Sequence, residues 1–245
     1  MIMKMGSRWI VSVVAIVVVA MLMTQPILAN VMPDSPFYPI KRIIENFELM
    51  FTFDEVSRAK KLVEYAKMRL VEAEYVYKRG KNPTDLVEDY ERDLSSALSL
   101  MDSAKPEDAS KIAEIIVNAT LESSEIVAKS DLPNKDPLER ATLLDGEMAI
   151  RKLARIDPNS AYRLSLEYAN TLLKRGDRIS VQESDRVLRI DVDLSKGSLK
   201  NTKDIVKLVE SIVNEATNLS NARRGNLTED ILKKGLSIYG TLFRR

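Results

Sequence analysis

The sequence predicts an all-α fold, an N-terminal signal or anchor segment followed by antiparallel helical bundles of about seven to nine helices. Three observations predict it. Apolar residues recur at spacings of three and four along most of the chain beyond residue 38. Prolines and acidic caps stand where those stripes begin, and glycines where several end. The one stretch with a strand-like period of two, Leu188 to Leu194, has no partner elsewhere in the sequence.

The first element is the leader. Lys4 and Arg8 precede Trp9 to Met23, a run of 15 residues without a charge, and Thr24-Gln25-Pro26 then breaks the run. Ala29 offers a small residue for cleavage. A positive flank, an apolar stretch and a small residue form the pattern of a secretory signal. The run is short for a spanning helix, which needs about 20 apolar residues, yet no charge appears until Asp34, so a retained anchor through residues 9–28 stays open. Either way the positive-inside rule puts the chain from Val31 onward outside the cytoplasm, secreted or at the cell surface.

Prolines at 33, 36 and 39 bar a helix interior there, but Pro39 suits a first turn, with Ile40, Ile43, Ile44, Phe47 and Met50 following at helical spacing. Asp54 caps a long helix striped by Val56, Ala59, Leu62, Val63, Ala66, Leu70, Ala73 and Tyr77, and Gly80 ends it. Asn82-Pro83 restarts the chain through Val87, Tyr90, Leu94, Ala97 and Met101. Pro106, Glu107 and Asp108 open the next helix, the acids lying beside the positive end of its dipole. Asp136-Pro137 with Glu139 reads as a capping box, and Asp157-Pro158 repeats the start, giving helices near 137–156 and 158–175. Gly176 stops the second. Ser180 and Glu183 suggest a short capped helix followed by a loop, and two further helices are predicted near 202–222 and 228–243. The chain thus divides into residues 1–29, a helical domain over 30–132, and a second helical domain or a continuation of the bundle over 133–245. No fixed-length repeat stands out; separate bundles are favoured over a solenoid of helical pairs.

Composition narrows the chemistry. Hydrophobic residues make up 45% and charged residues 30%, as in an ordinary globule. Without Lys4 and Arg8, 35 basic residues face 36 acidic ones, a balance that gives no field for a nucleic acid. There is no Cys and no His. Thiol nucleophiles, disulfides, histidine-based triads and the usual zinc sites are therefore excluded. Few Gln and many charges are compatible with a thermophilic source.

The stretch Pro33-Asp-Ser35-Pro36-Phe-Tyr38-Pro39-Ile-Lys41-Arg42, then Glu45, then Ala66-Lys-Met-Arg69-Leu70-Val-Glu72-Ala73-Glu74, resembles the domain-of-unknown-function family 5667 over about residues 31–130. That family is found in exported or membrane-anchored archaeal and bacterial proteins. The resemblance implies a helical extracytoplasmic domain and brings no catalytic residue. Independently of it, Pro36 and Pro39 stiffen the exit from the leader. Phe37 and Tyr38 are suited to stapling the first helix onto the bundle or to a membrane interface, and in the latter case Lys41 and Arg42 lie near lipid.

Other candidates are weaker. Asp191, Asp193 and Ser195 alternate before Gly197 like a calcium loop, but the glycine falls one position late and Thr202 stands where a bidentate Glu belongs, so a solvated turn is favoured. Glu72, Glu74, Glu88, Asp89, Glu91 and Asp93 could supply a carboxylate pair, though interleaved with Lys and Arg they read as solvated faces. The tyrosines read as core-edge residues. Asn118, Asn218 and Asn226 head glycosylation sequons. No cofactor is implied, and no glycine-rich phosphate loop exists. The sequence favours a non-enzymatic module binding a protein or cell-envelope partner. A membrane-tethered sensory module comes second and a carboxylate-dependent hydrolase third.

Overall fold

The computed structural model describes residues 30–195, and over them the chain is all-helical, with seven helices and no strand. They are α1 (Tyr38–Phe51), α2 (Glu55–Tyr77), α3 (Thr84–Leu100), α4 (Pro106–Lys129), α5 (Lys135–Ala154), α6 (Pro158–Arg175) and α7 (Arg178–Ser195). The leader and the helices expected near 202–222 and 228–243 lie outside the described residues. Among the described residues no helix is long and apolar enough to cross a membrane.

Local chemistry sets the boundaries. The Asp54 carboxylate accepts the Ser57 N–H at 2.7 Å, holding its own pKa below the usual value, and α2 starts there. Gly80, at φ +72°, turns the chain out of α2 as its N–H bonds back to the Tyr77 carbonyl. Asp157 caps α6 through the amides of Asn159 and Ser160, and Gly176, at φ +65°, ends it.

Two starts differ from expectation. At α5 the turn is made by Asn134 in a left-handed conformation, φ 56°, and the helix begins at Lys135. Glu139 does not reach back to a cap; it is buried and accepts a 3.1 Å bond from Arg175 of α6. At α7 the cap is Asp177, which accepts from the Ser180 amide at 2.8 Å and its hydroxyl at 2.6 Å. The helix then runs unbroken to Ser195, so residues 188–195 are neither loop nor strand.

Short connections make consecutive helices antiparallel neighbours. Packing is between near neighbours in the chain: α2 on α3 and α4, α4 on α5, α6 on α7, and α7 also on α5. One apolar core runs from Ala59 to Val187 through every helix from α2 to α7. It crosses the Pro133–Pro137 connection without interruption, since α4 and α5 pack closely together. The helices form a row in which α1 stands at one end and α7 at the other. This is the arrangement of stacked helical pairs rather than of two separate bundles.

Tyr90 and Tyr168 are core residues, each 1% exposed, not edge residues. Tyr168 of α6 donates to the Leu143 carbonyl of α5 at 2.8 Å. Against Thr120 and Tyr168 sits Gly146, where an added Cβ would lie 2.6 Å from Thr120 Oγ1 and 2.7 Å from the Tyr168 hydroxyl. A glycine inside a helix costs about 1 kcal/mol relative to alanine, and here it allows α4, α5 and α6 to close on one another.

Candidate functional site

Helix α1 is amphipathic, as its spacing predicts, but it is mounted the other way round. The expected core stripe faces outward: Ile40, Ile43, Phe47 and Met50 are all exposed, Met50 by 66%. Its four charged residues face inward. Lys41 and Glu45 are buried, and all four reach partners on α2 or α3.

At the centre lies Arg69 of α2, fully buried. Its guanidinium pairs with Glu45 of α1 through one nitrogen and with Glu72 of α2 through the other. Lys41 Nζ donates to Glu72 Oε1 at 2.6 Å and to the Val31 carbonyl at 3.2 Å. The Tyr38 hydroxyl donates to Glu72 Oε2 at 2.7 Å and accepts from Arg69 at 2.9 Å. Arg42 bridges outward, to Glu45 at 3.1 Å and to Asp89 of α3 at 2.8 Å. Three cations thus meet three carboxylates. Burial raises the Glu45 pKa, opposed by Arg69, Arg42 and Lys41. Burial also works against the Arg69 charge, but Glu45 and Glu72 outweigh it and hold the guanidinium more firmly protonated. Burial, then the bond to Glu72, raises the Tyr38 pKa, so the phenol stays a donor. Nearby, burial pushes Asp93 up to about 6.

The sequence motif is therefore a three-dimensional unit. Tyr38 and Lys41 of the opening meet Arg69 and Glu72 of the later helix, while Ala66, Leu70 and Ala73 lie fully buried on the same helix. Pro33 and Ser35 are half-buried and Pro36 and Pro39 exposed; they shape the entry rather than join the network. Two expectations are corrected. Lys41 does not present its charge outward, because its ammonium is committed to Glu72 inside the fold. Glu72 is not on a solvated face, being 2% exposed. Tyr38 does fasten α1 to the row, but by hydrogen bonds, while Phe37 is exposed.

Residues 30–136 match the family model of a domain of unknown function, DUF5667. The match ends at the start of α5, so the matched segment holds α1 to α4 with their ion network. No curated protein matches the chain. Among solved structures, the crystal structure of the de novo designed helical repeat protein DHR64 is similar, with a TM-score of 0.53 and 19% identity, covering 77% of this chain and 92% of that one. At that identity the likeness concerns the fold alone, and it agrees with a row of stacked helices.

Sequence reasoning missed Arg42, Glu45 and Asp89 as members of the network. A signal existed: Lys41, Arg42, Glu45 and Glu48 form a second stripe on α1, opposite the apolar one.

A second polar cluster joins α5 and α7. Burial and a hydrogen bond shared with Glu147 push Glu183 up to about 7, and Arg186 lies 3.1 Å from Glu147 and 3.3 Å from Glu183. Arg151 adds a 2.6 Å bond to Glu147. Asp145, half-buried near Glu91, is likewise raised to about 7, by desolvation first and then by Glu91.

Two grooves open on the surface, each of about 460 Å³. One lies between α1 and α2, floored by Ile44, Met68, Val71 and Ile126, with Glu48 on its rim bonded to Lys61 at 2.9 Å and to the Tyr65 hydroxyl at 2.5 Å. The other is lined by Pro83, Val87, Leu132, Pro133, Pro137 and Leu138, with Glu88 and Glu91 beside them. Neither Glu147 nor Glu183 lines either groove.

Asp191, Asp193 and Ser195 fall on regular helix rather than on a loop that could wrap a cation, and Gly197 and Thr202 lie outside the described residues. Among the described residues no group of three or more acidic side chains is placed to hold a metal. Asn118 is exposed on α4, whereas Thr120 of its sequon is buried and bonded to the Val117 carbonyl. Asn218 and Asn226 lie outside the described residues.

Proposed function

We propose that this chain is a non-enzymatic, extracytoplasmic helical module that binds a protein or cell-envelope partner through the surface of its helical row. One observation carries the reading. The reactive side chains that the motif brings together are spent on one another inside the fold: Tyr38, Arg69 and Glu72 line neither groove, and Lys41, which lines the first, is committed to Glu72 at 2.6 Å. The first groove is apolar at the floor, with the Glu48–Lys61 pair at its rim, which suits an inserted side chain of a partner better than a reaction. The coupled acids Glu147 and Glu183 are the strongest support for a hydrolase, but they lie beneath Arg151 and Arg186 and away from both grooves.

The outward apolar face of α1 favours retention of residues 9–28 as a membrane anchor over cleavage after Ala29. A tethered module with a sensory role is the corresponding refinement. Fractionation of the source cell with N-terminal sequencing tests the placement. The expected result is an uncleaved chain in the membrane fraction, digested by protease added from outside. Intact chain free in the cytosol would overturn it. A photo-crosslinking residue at Val71, 44% exposed at the first groove, is expected to yield a discrete protein or envelope adduct.

A further inference from the structure

The terminal helix of a stacked array needs a polar outer face, because no further helix covers it. Among the described residues α1 is the terminal helix, and the exposed positions of its outer face carry no charge. From Pro36 to Phe53 the exposed positions include Ile40, Ile43, Phe47, Met50, Phe51 and Phe53, with Asn46 the one polar side chain among them. Phe47 and Phe51 stack at 6.3 Å and extend the patch across a turn. Every charge on α1 is turned to the interior and neutralised there.

We propose that this face lies on a lipid bilayer, in the interface beside the point where residues 9–28 enter it. Three features select lipid as the occupant. In the sequence the apolar segment runs directly into α1: the Val31 carbonyl, three residues after Leu28, is held by Lys41 of α1 at 3.2 Å. The last described helix, α7, packs on α5 and α6 at the other end of the row from the patch. From Pro36 to Phe53 the exposed face offers one hydrogen-bonding side chain, Asn46, and aromatic and aliphatic side chains on one face of a helix partition into the headgroup and acyl boundary. Phe47 and its neighbours would then be buried in lipid with the ion network acting as the polar side of an interfacial helix. The proposal rests on the reading that the anchor is retained.

The test uses the full chain in phosphatidylcholine vesicles, in a Trp9→Phe background that removes the single tryptophan. One variant carries Phe47→Trp; a control carries Met148→Trp on α5, which is 49% exposed. Helical circular dichroism verifies that each is folded, and Ile43→Trp replaces Phe47→Trp if that variant is not. The expected result is blue-shifted Phe47→Trp emission, quenched several-fold more than the control by acyl chains brominated near the headgroup, and protected from aqueous acrylamide. Acrylamide quenching equal to the control overturns the proposal. So does blue-shifted emission that ignores bromine, which would place a second copy or another segment of the chain on the face. N-terminal sequencing separates the two levels: a chain cleaved before Asn30 in its source cell removes the tether and overturns both readings. An uncleaved, membrane-held chain whose Phe47→Trp meets water overturns only this one.

Discussion

The two ends of the DUF5667 match are built on opposite principles. At α1 the charges are inside and the apolar residues outside; where α4 meets α5 and α6, small and apolar residues are inside and the backbones approach closely. Ions in a low-dielectric interior recover their desolvation only through near-complete pairing, so the α1 end gains orientation and register more than net stability. Close packing of Ala149, Ile150, Leu143 and Tyr168 stabilises without that penalty, each fully buried Ile or Leu contributing about 1.5–3 kcal/mol. The contrast teaches that α1 is held to the row by charge pairing, whereas the later helices are held by apolar packing.

The largest effect should come from breaking the ionic end. Arg69→Met keeps much of the volume but strands Glu45 and Glu72, and the expected loss is about 3–5 kcal/mol in denaturant unfolding. A loss below about 1 kcal/mol would mean that water already reaches the network and that the pairs are not what holds α1. Next is the packed middle. Gly146→Ala gains helix propensity but drives a methyl into Thr120 and Tyr168, with a net cost of about 1–3 kcal/mol. An unchanged melting temperature would show that α4, α5 and α6 have room that the geometry denies.

The smallest effect is a pH dependence. Glu183 has a folded pKa of about 7, above the value near 4.3 of a free Glu, so its contribution to stability is complete below about pH 4 and is lost as pH rises through about 7. Glu183→Gln keeps a neutral hydrogen-bonding group against Glu147. It is expected to melt a few degrees higher than the parent at about pH 8 and no higher at about pH 4. Parallel pH profiles for parent and variant would show that Glu147 and Glu183 do not share a proton.

Much of the fold was legible in the residues. Asp54, Asp157, Gly80 and Gly176 mark helix ends by local chemistry, which needs no knowledge of the rest of the chain. Where side chains had a choice of partner, local reading failed. Glu139 could cap its own helix or pair with Arg175, and Ser180 could begin a helix or answer Asp177. The motif residues were legible as a set, but their meeting was not, because Tyr38 and Glu72 lie 34 positions apart. Nor does a helix-period stripe carry a direction: α1 has an apolar face and a charged face, and either could have been the buried one.

By itself the sequence determined that residues 38–195 are largely helical, where most of those helices begin, and that cysteine and histidine chemistry is closed to the chain; these follow from backbone preference and residue type. Only the tertiary structure decided which side of α1 faces inward. Arg69, Glu72 and Asp89, offered by α2 and α3, give its charges a better partner than water, and its apolar residues are left at the surface.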